Sequence, residues 1–180
     1  MNTSPVVRLG TRGSPLARWQ AEWVATRLRE HAVEVEIIEI TTQGDVTAGP
    51  LGAIGGQGLF TKEIQRALLA ETVDLAVHSL KDLPTLPVEG LVLTAVPVRE
   101  AAGDALVSSH ATLDDLPRGA RVGTGSNRRR SQLLHYRPDL ELLDVRGNID
   151  TRLRKFDSGE YDALVLAEAG LRRLELEGRI

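Results

Sequence analysis

The sequence predicts an α/β protein with two βαβ-type lobes around a cleft. Strand-like apolar runs alternate with segments of helical periodicity, which is typical of βαβ units and a mainly parallel sheet. A strand, a glycine–threonine turn and a serine-capped helix follow one another twice, in RLGTRGS (8–14) and RVGTGSNRRR (121–130). With 180 residues, 42% of them apolar, the chain is long enough for one lobe at 1–98 and a second at 99–180.

The predicted strands are short apolar runs, several of which end in polar residues. In chain order they are Val6–Gly10, Val33–Thr41, Asp74–His78, Leu91–Val96, Ala105–Val107, Arg121–Gly123, Leu140–Val145 and Asp162–Ala167. Two of these runs begin with an aspartate that follows a predicted helix, in ETVDLAVHS (71–79) and GEYDALVLAE (159–168). The two halves therefore share a plan, although their spacing differs.

The clearest predicted helix runs from Ser14 to about His31. Ser14 can cap it and Pro15 suits the first helical position. Apolar residues then recur on one helix face, at Ala17, Ala21, Val24 and Leu28. Further helices are predicted at Thr61–Leu69, Arg128–Tyr136, Ile149–Phe156 and Ala167–Leu176.

The stretch 41–60, TTQGDVTAGPLGAIGGQGLF, has six glycines, one proline and no convincing periodicity. Its glycines do not form a phosphate-binding P-loop, because no Gly-Lys-Ser/Thr sequence closes it. A loop of this length in a compact domain is typical of a lid or a disordered segment. We predict a mobile flap.

Composition excludes several kinds of site and partner. The chain contains no cysteine, which excludes disulfides, thiolate metal sites and a thiol nucleophile within these residues. The four histidines are scattered and predict no metal site. No apolar run approaches the ~20 residues of a membrane span, and the N-terminus has no apolar signal segment, so a cytoplasmic protein is expected. The net charge of −3 argues against a nucleic-acid partner.

Basic side chains fall at the carboxyl ends of predicted strands and the amino ends of predicted helices. Backbone N–H groups and the helix dipole favour anions there, and arginine binds carboxylates with two parallel hydrogen bonds. The cleft between the lobes is therefore expected to bind a small molecule with several carboxylates or phosphates. Consecutive helical residues point in different directions, so one of Arg128, Arg129 and Arg130 is expected to face solvent or to be structural.

Asp82 is an acid among these basic groups. It fits a ligand that also has a cationic or N–H portion, or a role in proton transfer. The alternative is an ion pair with Lys81 or a neighbouring arginine. Lys81 could also form a Schiff base, although an adjacent carboxylate favours its protonated form.

Six segments carry most of these residues. They are LGTRGSPLARWQ, GGQGLFTKEI, DLAVHSLKDLP, VGTGSNRRRSQL, DVRGNIDTRL and GEYDALVLAEAGLRRL. Together they resemble the porphobilinogen deaminase (hydroxymethylbilane synthase) family, in the same order and over almost the whole chain. The resemblance implies a transferase of tetrapyrrole (porphyrin and haem) biosynthesis that condenses four porphobilinogen molecules head to tail and releases ammonia. It also implies two lobes of the type II periplasmic-binding-protein kind.

The resemblance also implies roles for individual residues. Asp82 would be the catalytic carboxylate, contacting pyrrole nitrogens and stabilising an azafulvenium-like cation. The carboxylates of porphobilinogen and of a dipyrromethane cofactor would be bound by Arg8, Arg12, Ser14, Ser79, Lys81, Thr124, Ser126, Arg128, Arg129, Arg146, Arg152 and Arg173. A monomer with no metal, membrane or nucleic-acid partner is expected.

Two departures from the family pattern bear on these expectations. Gln57 stands where a basic residue is expected in the glycine-rich stretch. The family attaches dipyrromethane to a cysteine in a third domain, and these 180 residues contain no cysteine. The sequence is therefore expected to correspond to the first two domains, and the first domain is expected to lack a returning strand. The alternatives are a non-catalytic two-lobed protein that binds carboxylates, and a nucleic-acid module around Arg128–Arg130.

Overall fold

A computed structural model describes residues 6–46 and 60–180. The contacts of the chain divide it into two compact units, Met1–Val98 and Arg99–Ile180. Each unit has its own sheet and its own buried core, and each is described separately. Among the helices of the described ranges, none combines the length and apolar composition that a membrane crossing needs.

The first unit is built on a parallel sheet that has the strand order β2-β1-β3 within the described residues. In chain order its elements are β1 (Val6–Thr11), α1 (Pro15–Arg29), β2 (Glu34–Glu39), α2 (Gln43–Val46), α3 (Lys62–Leu69), β3 (Leu75–Ala76) and a 3-10 helix at Leu80–Asp82. The central strand β1 pairs with β2 over six residues, from Val6↔Glu34 to Thr11↔Glu39. Its pairing with β3 is much shorter, at Leu9↔Leu75 and Gly10↔Ala76.

Helix α1 forms as the sequence predicts. The Ser14 hydroxyl accepts a hydrogen bond from the backbone N–H of Ala17, and Pro15 occupies the first turn, where a missing N–H costs nothing. The apolar face of α1 packs on the sheet, so that Ala21 and Ala25 are fully buried with Leu9 of β1. This packing holds α1 against β1, and residues 12–14 form the turn between them.

The second unit contains a mixed sheet with the strand order β4-β7-β5-β6 within the described residues. Its elements are β4 (Asp104–Ser108), β5 (Arg121–Gly123), α4 (Asn127–Tyr136), β6 (Glu141–Leu143), α5 (Ile149–Asp157), β7 (Ala163–Ala167), α6 (Glu168–Arg173) and a 3-10 helix at Glu177–Arg179. Strand β5 is parallel to both β6 and β7, whereas β4 is antiparallel to β7. The core packs on both faces of the sheet, around Leu164 and Leu171 on one and Val122 on the other.

The structure differs from the sequence prediction in several places, among them a short helix, α2, within the predicted flap and the shortening of the predicted strand Leu140–Val145 to Glu141–Leu143. The predicted strand Leu91–Val96 does not form, and Val92 is 80% exposed, because no described strand pairs with this segment. The predicted strand Asp74–His78 is reduced to Leu75–Ala76, after which the chain turns into the 3-10 helix. The last predicted helix ends at Arg173. Of the predicted flap, residues 47–59, including Gln57, lie outside the described residues.

Candidate functional site

A small pocket lies beyond the carboxyl ends of β1 and β3 in the first unit. Its volume is about 50 Å³, room for a few water molecules or one carboxylate. The residues that line it come from the turn after β1, the start of α1 and the segment after β3: Arg12, Ser14, Leu16, Ala17, Gln20, Val77, His78, Ser79 and Asp82. The pocket therefore brings together four of the residues that the sequence assigns to the site, namely Arg12, Ser14, Ser79 and Asp82.

Arg12 lies in the turn between β1 and α1. Its guanidinium carbon is 4.2 Å from the centre of the Phe60 ring, a distance at which a cation is attracted to the face of an aromatic ring. Stacking uses the face of the guanidinium, whereas its in-plane N–H groups are the donors that bind carboxylates. The stacking is not evident from the sequence, because Phe60 is the last residue of the glycine-rich stretch 41–60, which has no periodicity that would place its side chain.

Asp82 is the last residue of the 3-10 helix, and its carboxylate faces the same pocket. Within residues 6–46 and 60–180, neither Asp82 nor the adjacent Lys81 forms a side-chain hydrogen bond or an ion pair. Both side chains are exposed. Of the two alternatives that the sequence leaves open for Asp82, the ion pair with Lys81 or an arginine is therefore absent from the described part of the chain.

Two further polar residues of the pocket were missed by the sequence analysis. His78 is largely buried, and this burial lowers its pKa; the nearby charge of Asp82 raises the pKa and that of Arg12 lowers it further. Gln20 is buried on α1, and its side-chain amide and the Ser79 hydroxyl lie 2.9 Å apart and form a hydrogen bond. The available signal was a polar residue, Gln20, directly beside Ala21 on the apolar face of the helix.

Arg8 does not face this pocket. It lies four residues before Arg12 on β1, about 13 Å along the strand at ~3.3 Å per residue. Its guanidinium forms an ion pair with Asp74, with Nη2 and Oδ1 2.6 Å apart. This contact favours a structural role for Arg8, and its predicted role in ligand binding stays untested.

In the second unit, the turn between β5 and α4 resembles the turn before α1. Thr124 is buried at the end of β5, and its hydroxyl accepts a hydrogen bond from the backbone N–H of Ser126. The Ser126 hydroxyl in turn accepts one from the N–H of Arg129 and caps α4. The turn places the free N–H groups of a helix start beside the two hydroxyls, an arrangement that suits an anion.

The three consecutive arginines of α4 separate as the helical spacing predicts. Arg128 is the most exposed, with 65% of its side chain accessible. Arg129 is largely buried and donates hydrogen bonds to Asp104, at 2.6 Å, and to the carbonyl of Val165. Burial opposes the ionisation of Asp104, but the hydrogen bonds and charges of Arg129 and Arg128 together outweigh it and lower the Asp104 pKa. Arg130 pairs with Asp144 at 2.7 Å.

The remaining predicted basic residues follow β6 and β7. Arg146 is half-buried after β6 and forms no ion pair with any described residue. Arg152, in the first turn of α5, donates a hydrogen bond to the carbonyl of Gly147 at 2.8 Å. Gly147 has φ of 102°, a conformation that glycine adopts without strain. Arg173 is half-buried at the end of α6.

Comparison with known proteins identifies the family. Residues 7–180 match the family model described as "Porphobilinogen deaminase, dipyromethane cofactor binding domain". Among curated relatives named porphobilinogen deaminase, that of Dichelobacter nodosus is 56% identical over 178 residues, covering 97% of this chain and 58% of the relative. That of Chlorobaculum tepidum is 53% identical over 176 residues, covering 96% of this chain and 56% of the relative.

Solved structures agree on the fold alone. A nutrient-binding protein from Burkholderia cenocepacia bound to methionine aligns with a TM-score of 0.51 and 15% identity, over 95% of this chain and 75% of that one. An ancestral amino acid-binding protein, a precursor of cyclohexadienyl dehydratase, aligns with a TM-score of 0.50 and 14% identity, over 97% and 75%. These likenesses confirm the predicted α/β class of the type II periplasmic-binding-protein kind. The chain spans less than three fifths of the length of the curated relatives named above, and over that span it belongs to the porphobilinogen deaminase family.

Proposed function

We propose that this chain is the substrate- and cofactor-binding part of a hydroxymethylbilane synthase, which joins four porphobilinogen molecules head to tail and releases ammonia. In this proposal the two units are domains 1 and 2 of the family. The observation that carries it is the Asp82 carboxylate, which faces the same pocket as Arg12 and has no ion-pair partner among the described residues. Membership of the family supports the choice of reaction.

The basic residues fit the substrate and the cofactor chemically. Porphobilinogen carries an acetate and a propionate, and dipyrromethane carries two of each. We assign these carboxylates to hydrogen-bond donors from both units: Arg12, Ser14, Ser79, Lys81, Thr124, Ser126, Arg128, Arg129, Arg146, Arg152 and Arg173. When bound, dipyrromethane supplies the pyrrole carbon to which the first substrate unit is joined. The net charge of −3 supports a small molecule rather than a nucleic acid as the partner; a cytoplasmic monomer stays a prediction.

Arg12 and Arg146 are the arginines to which the proposal gives most of the carboxylate binding. Arg12 is stacked on Phe60, which limits its rotamer freedom before a ligand binds. Arg146 has no ion-pair partner among the described residues, so a ligand does not have to displace one. Arg129 differs, because its bond to Asp104 orders it and also competes with a ligand carboxylate. Each charge-assisted contact contributes about 1.5–3 kcal/mol.

In this proposal Asp82 contacts the pyrrole nitrogen of the substrate. Its carboxylate accepts a hydrogen bond from the pyrrole N–H, which holds the ring while ammonia leaves the aminomethyl carbon. The ring becomes a cation as the carbon–nitrogen bond breaks, and a fixed negative charge beside it is worth more in the transition state than in the ground state. The same carboxylate is a suitable acceptor for the proton that a pyrrole carbon loses after the new carbon–carbon bond forms.

A hybrid enzyme tests the proposal. The matching segment of the Dichelobacter nodosus relative is replaced by this chain, and consumption of porphobilinogen and release of ammonia are measured. We expect the hybrid to turn over porphobilinogen, and Asp82→Asn to lower kcat by at least 100-fold, as loss of an electrostatic catalytic group does. Glu89→Gln, a change at an exposed acid outside the pocket, is the matched control and should keep full activity.

The outcomes separate the enzyme from its main rival. A folded hybrid that binds porphobilinogen without consuming it, beside an active parent enzyme, would favour a non-catalytic carboxylate-binding protein. A hybrid whose Asp82→Asn form keeps its kcat would remove Asp82 from the mechanism.

A further inference from the structure

The two units contain the same arginine–aspartate arrangement at the same place in their sheets. In the first unit, the Asp74 carboxylate accepts hydrogen bonds from the backbone N–H of Arg8 at 2.8 Å, from its Nε at 3.0 Å and from its Nη2 at 2.6 Å. In the second, Asp162 accepts from the backbone N–H of Arg121 at 2.8 Å, from its Nε at 3.1 Å and from its Nη2 at 2.8 Å.

A fourth hydrogen bond is also shared. The backbone N–H of Asp74 donates to the carbonyl of Arg8 at 2.8 Å, and that of Asp162 donates to the carbonyl of Arg121 at 2.8 Å. Each arginine lies on a strand that leads to a glycine–threonine turn and a serine-capped helix. Each aspartate comes directly before the neighbouring parallel strand. We call this four-bond arrangement the strand clasp.

The clasp matters most in the first unit, because β3 pairs with no described strand except β1, whereas β7 of the second unit also pairs with β4 over five residues. The ladder between β3 and β1 consists of Leu9↔Leu75 and Gly10↔Ala76, with one more backbone bond from Val77 to Gly10 at 3.1 Å. Asp74 is the residue before β3, so the clasp extends the ladder by one position. The segment after β3 carries His78, Ser79 and Asp82 into the pocket.

We infer that the clasp between Arg8 and Asp74 is a positioning pair, which holds the strand that leads to Asp82 in register beside the strand that leads to Arg12. The inference deepens the proposed function and depends on it for the roles of Asp82 and Arg12. A misplacement of about 1 Å can lower a catalytic rate by about 100-fold, so register is a requirement of the chemistry. A slip of one residue would also turn every side chain of β3 to the opposite face.

His78 reports on this register without any substrate. It lies four residues after Asp74, and burial is the largest cause of its lowered pKa. Two charges act on it, Asp82 and Arg12. When β3 loosens, water reaches the imidazole, and its pKa should rise towards the ordinary value of 6.5. Loss of the Asp74 charge by itself cannot raise the His78 pKa, because removing a negative charge either lowers the pKa of a histidine or, at longer range, leaves it unchanged.

The test is an NMR titration of the histidine ring protons in the 180-residue chain. The protein has four histidines, and the signal of His78 is assigned from a His78→Gln variant. We expect Asp74→Asn to raise the His78 pKa while the dispersion of the spectrum shows that the protein is folded. Asp162→Asn removes the matching clasp of the second unit and should leave the His78 pKa unchanged. If Asp74→Asn does not fold, Arg8→Lys keeps the charge, loses the two-nitrogen contact and should shift the His78 pKa in the same direction.

Other outcomes overturn the inference. An unchanged His78 pKa in folded Asp74→Asn would mean that the clasp does not position the pocket, and a lowered pKa would mean that only charge was removed. An equal rise in Asp162→Asn would mean a general loss of stability. Adding porphobilinogen to the wild-type protein tests the proposed function separately: a His78 signal that does not move contradicts ligand binding at this pocket and leaves the positioning result intact.

Discussion

Gly123 is the position where a single added methyl group should be most informative. It ends β5, directly before Thr124, and a Cβ at this residue would lie 2.6 Å from Leu164 Cδ2 and 2.9 Å from Tyr161 Cδ1. Both side chains belong to the core of the second unit: Leu164 is fully buried and Tyr161 is 7% exposed. Neither can move into solvent, so the change Gly123→Ala has to displace the strand or the core.

The expected cost follows from this geometry. Adding a methyl group to a well-packed core costs about 1–3 kcal/mol, and two contacts below 3 Å place Gly123→Ala in the upper part of that range. Leu164→Ala alone should cost about 2–5 kcal/mol, because it leaves a cavity. The double variant should cost less than the sum of the two, by about 1 kcal/mol or more, since the new methyl group occupies part of that cavity.

Urea denaturation followed by ¹⁹F NMR of fluorotyrosine-labelled protein measures the free energy of unfolding of the second unit of the protein. The chain has two tyrosines, Tyr136 and Tyr161, and both lie in the second unit. Gly178→Ala is the matched control, because a Cβ there meets no atom within 4 Å. If Gly123→Ala is as stable as the control, or if the double variant costs the full sum, the described packing of β5 against Leu164 is incorrect.

Two further predictions concern charge. Hydrogen bonds from Arg8 and Arg137 lower the pKa values of Asp74 and Asp139 from 3.8 to about 2. Because the lowered pKa belongs to the folded state, the stability that these two pairs contribute is complete above pH 3.8 and is lost as the pH falls towards 2. The urea midpoint of the wild-type protein should therefore fall over this pH range, and that of Asp139→Asn should fall less steeply. The second prediction concerns ligand binding: Arg12→Lys should weaken porphobilinogen binding about tenfold, measured by calorimetry, since an ammonium lacks the two-nitrogen contact. The control Arg27→Lys, at an exposed arginine, should bind porphobilinogen as the wild-type protein does.

The local features of the fold were predictable from the sequence. Helix α1 follows from Ser14, Pro15 and the spacing of its apolar residues, and the structure has the same cap and the same buried face. The order of strand, turn and capped helix in each half likewise follows from the short motifs RLGTRGS (8–14) and RVGTGSNRRR (121–130). Such features depend on residues within a few positions of one another, and a sequence contains that information directly.

Features that depend on a distant partner were not predictable. Leu91–Val96 has the composition of a strand, but a strand exists only where another pairs with it, and no described strand does so. Arg8 has the sequence context of a ligand-binding arginine, whereas its contact is an aspartate 66 positions away. The sequence does show that an aspartate begins a strand in both halves. It does not show which residue that aspartate contacts.

The strand clasp also shows how the two units differ. Counting from the aspartate of each clasp, the fourth and eighth residues are His78 and Asp82 in the first unit but Leu166 and Gly170 in the second. Leu166 and Gly170 are buried, because β7 has strands on both sides and continues into α6. Within the described residues, β3 is the last strand of the order β2-β1-β3 and is two residues long, and the chain that follows it carries the ionisable groups His78, Lys81 and Asp82. Both units therefore share the turn before a serine-capped helix, while the early end of β3 is what places the Asp82 carboxylate at the pocket of the first unit.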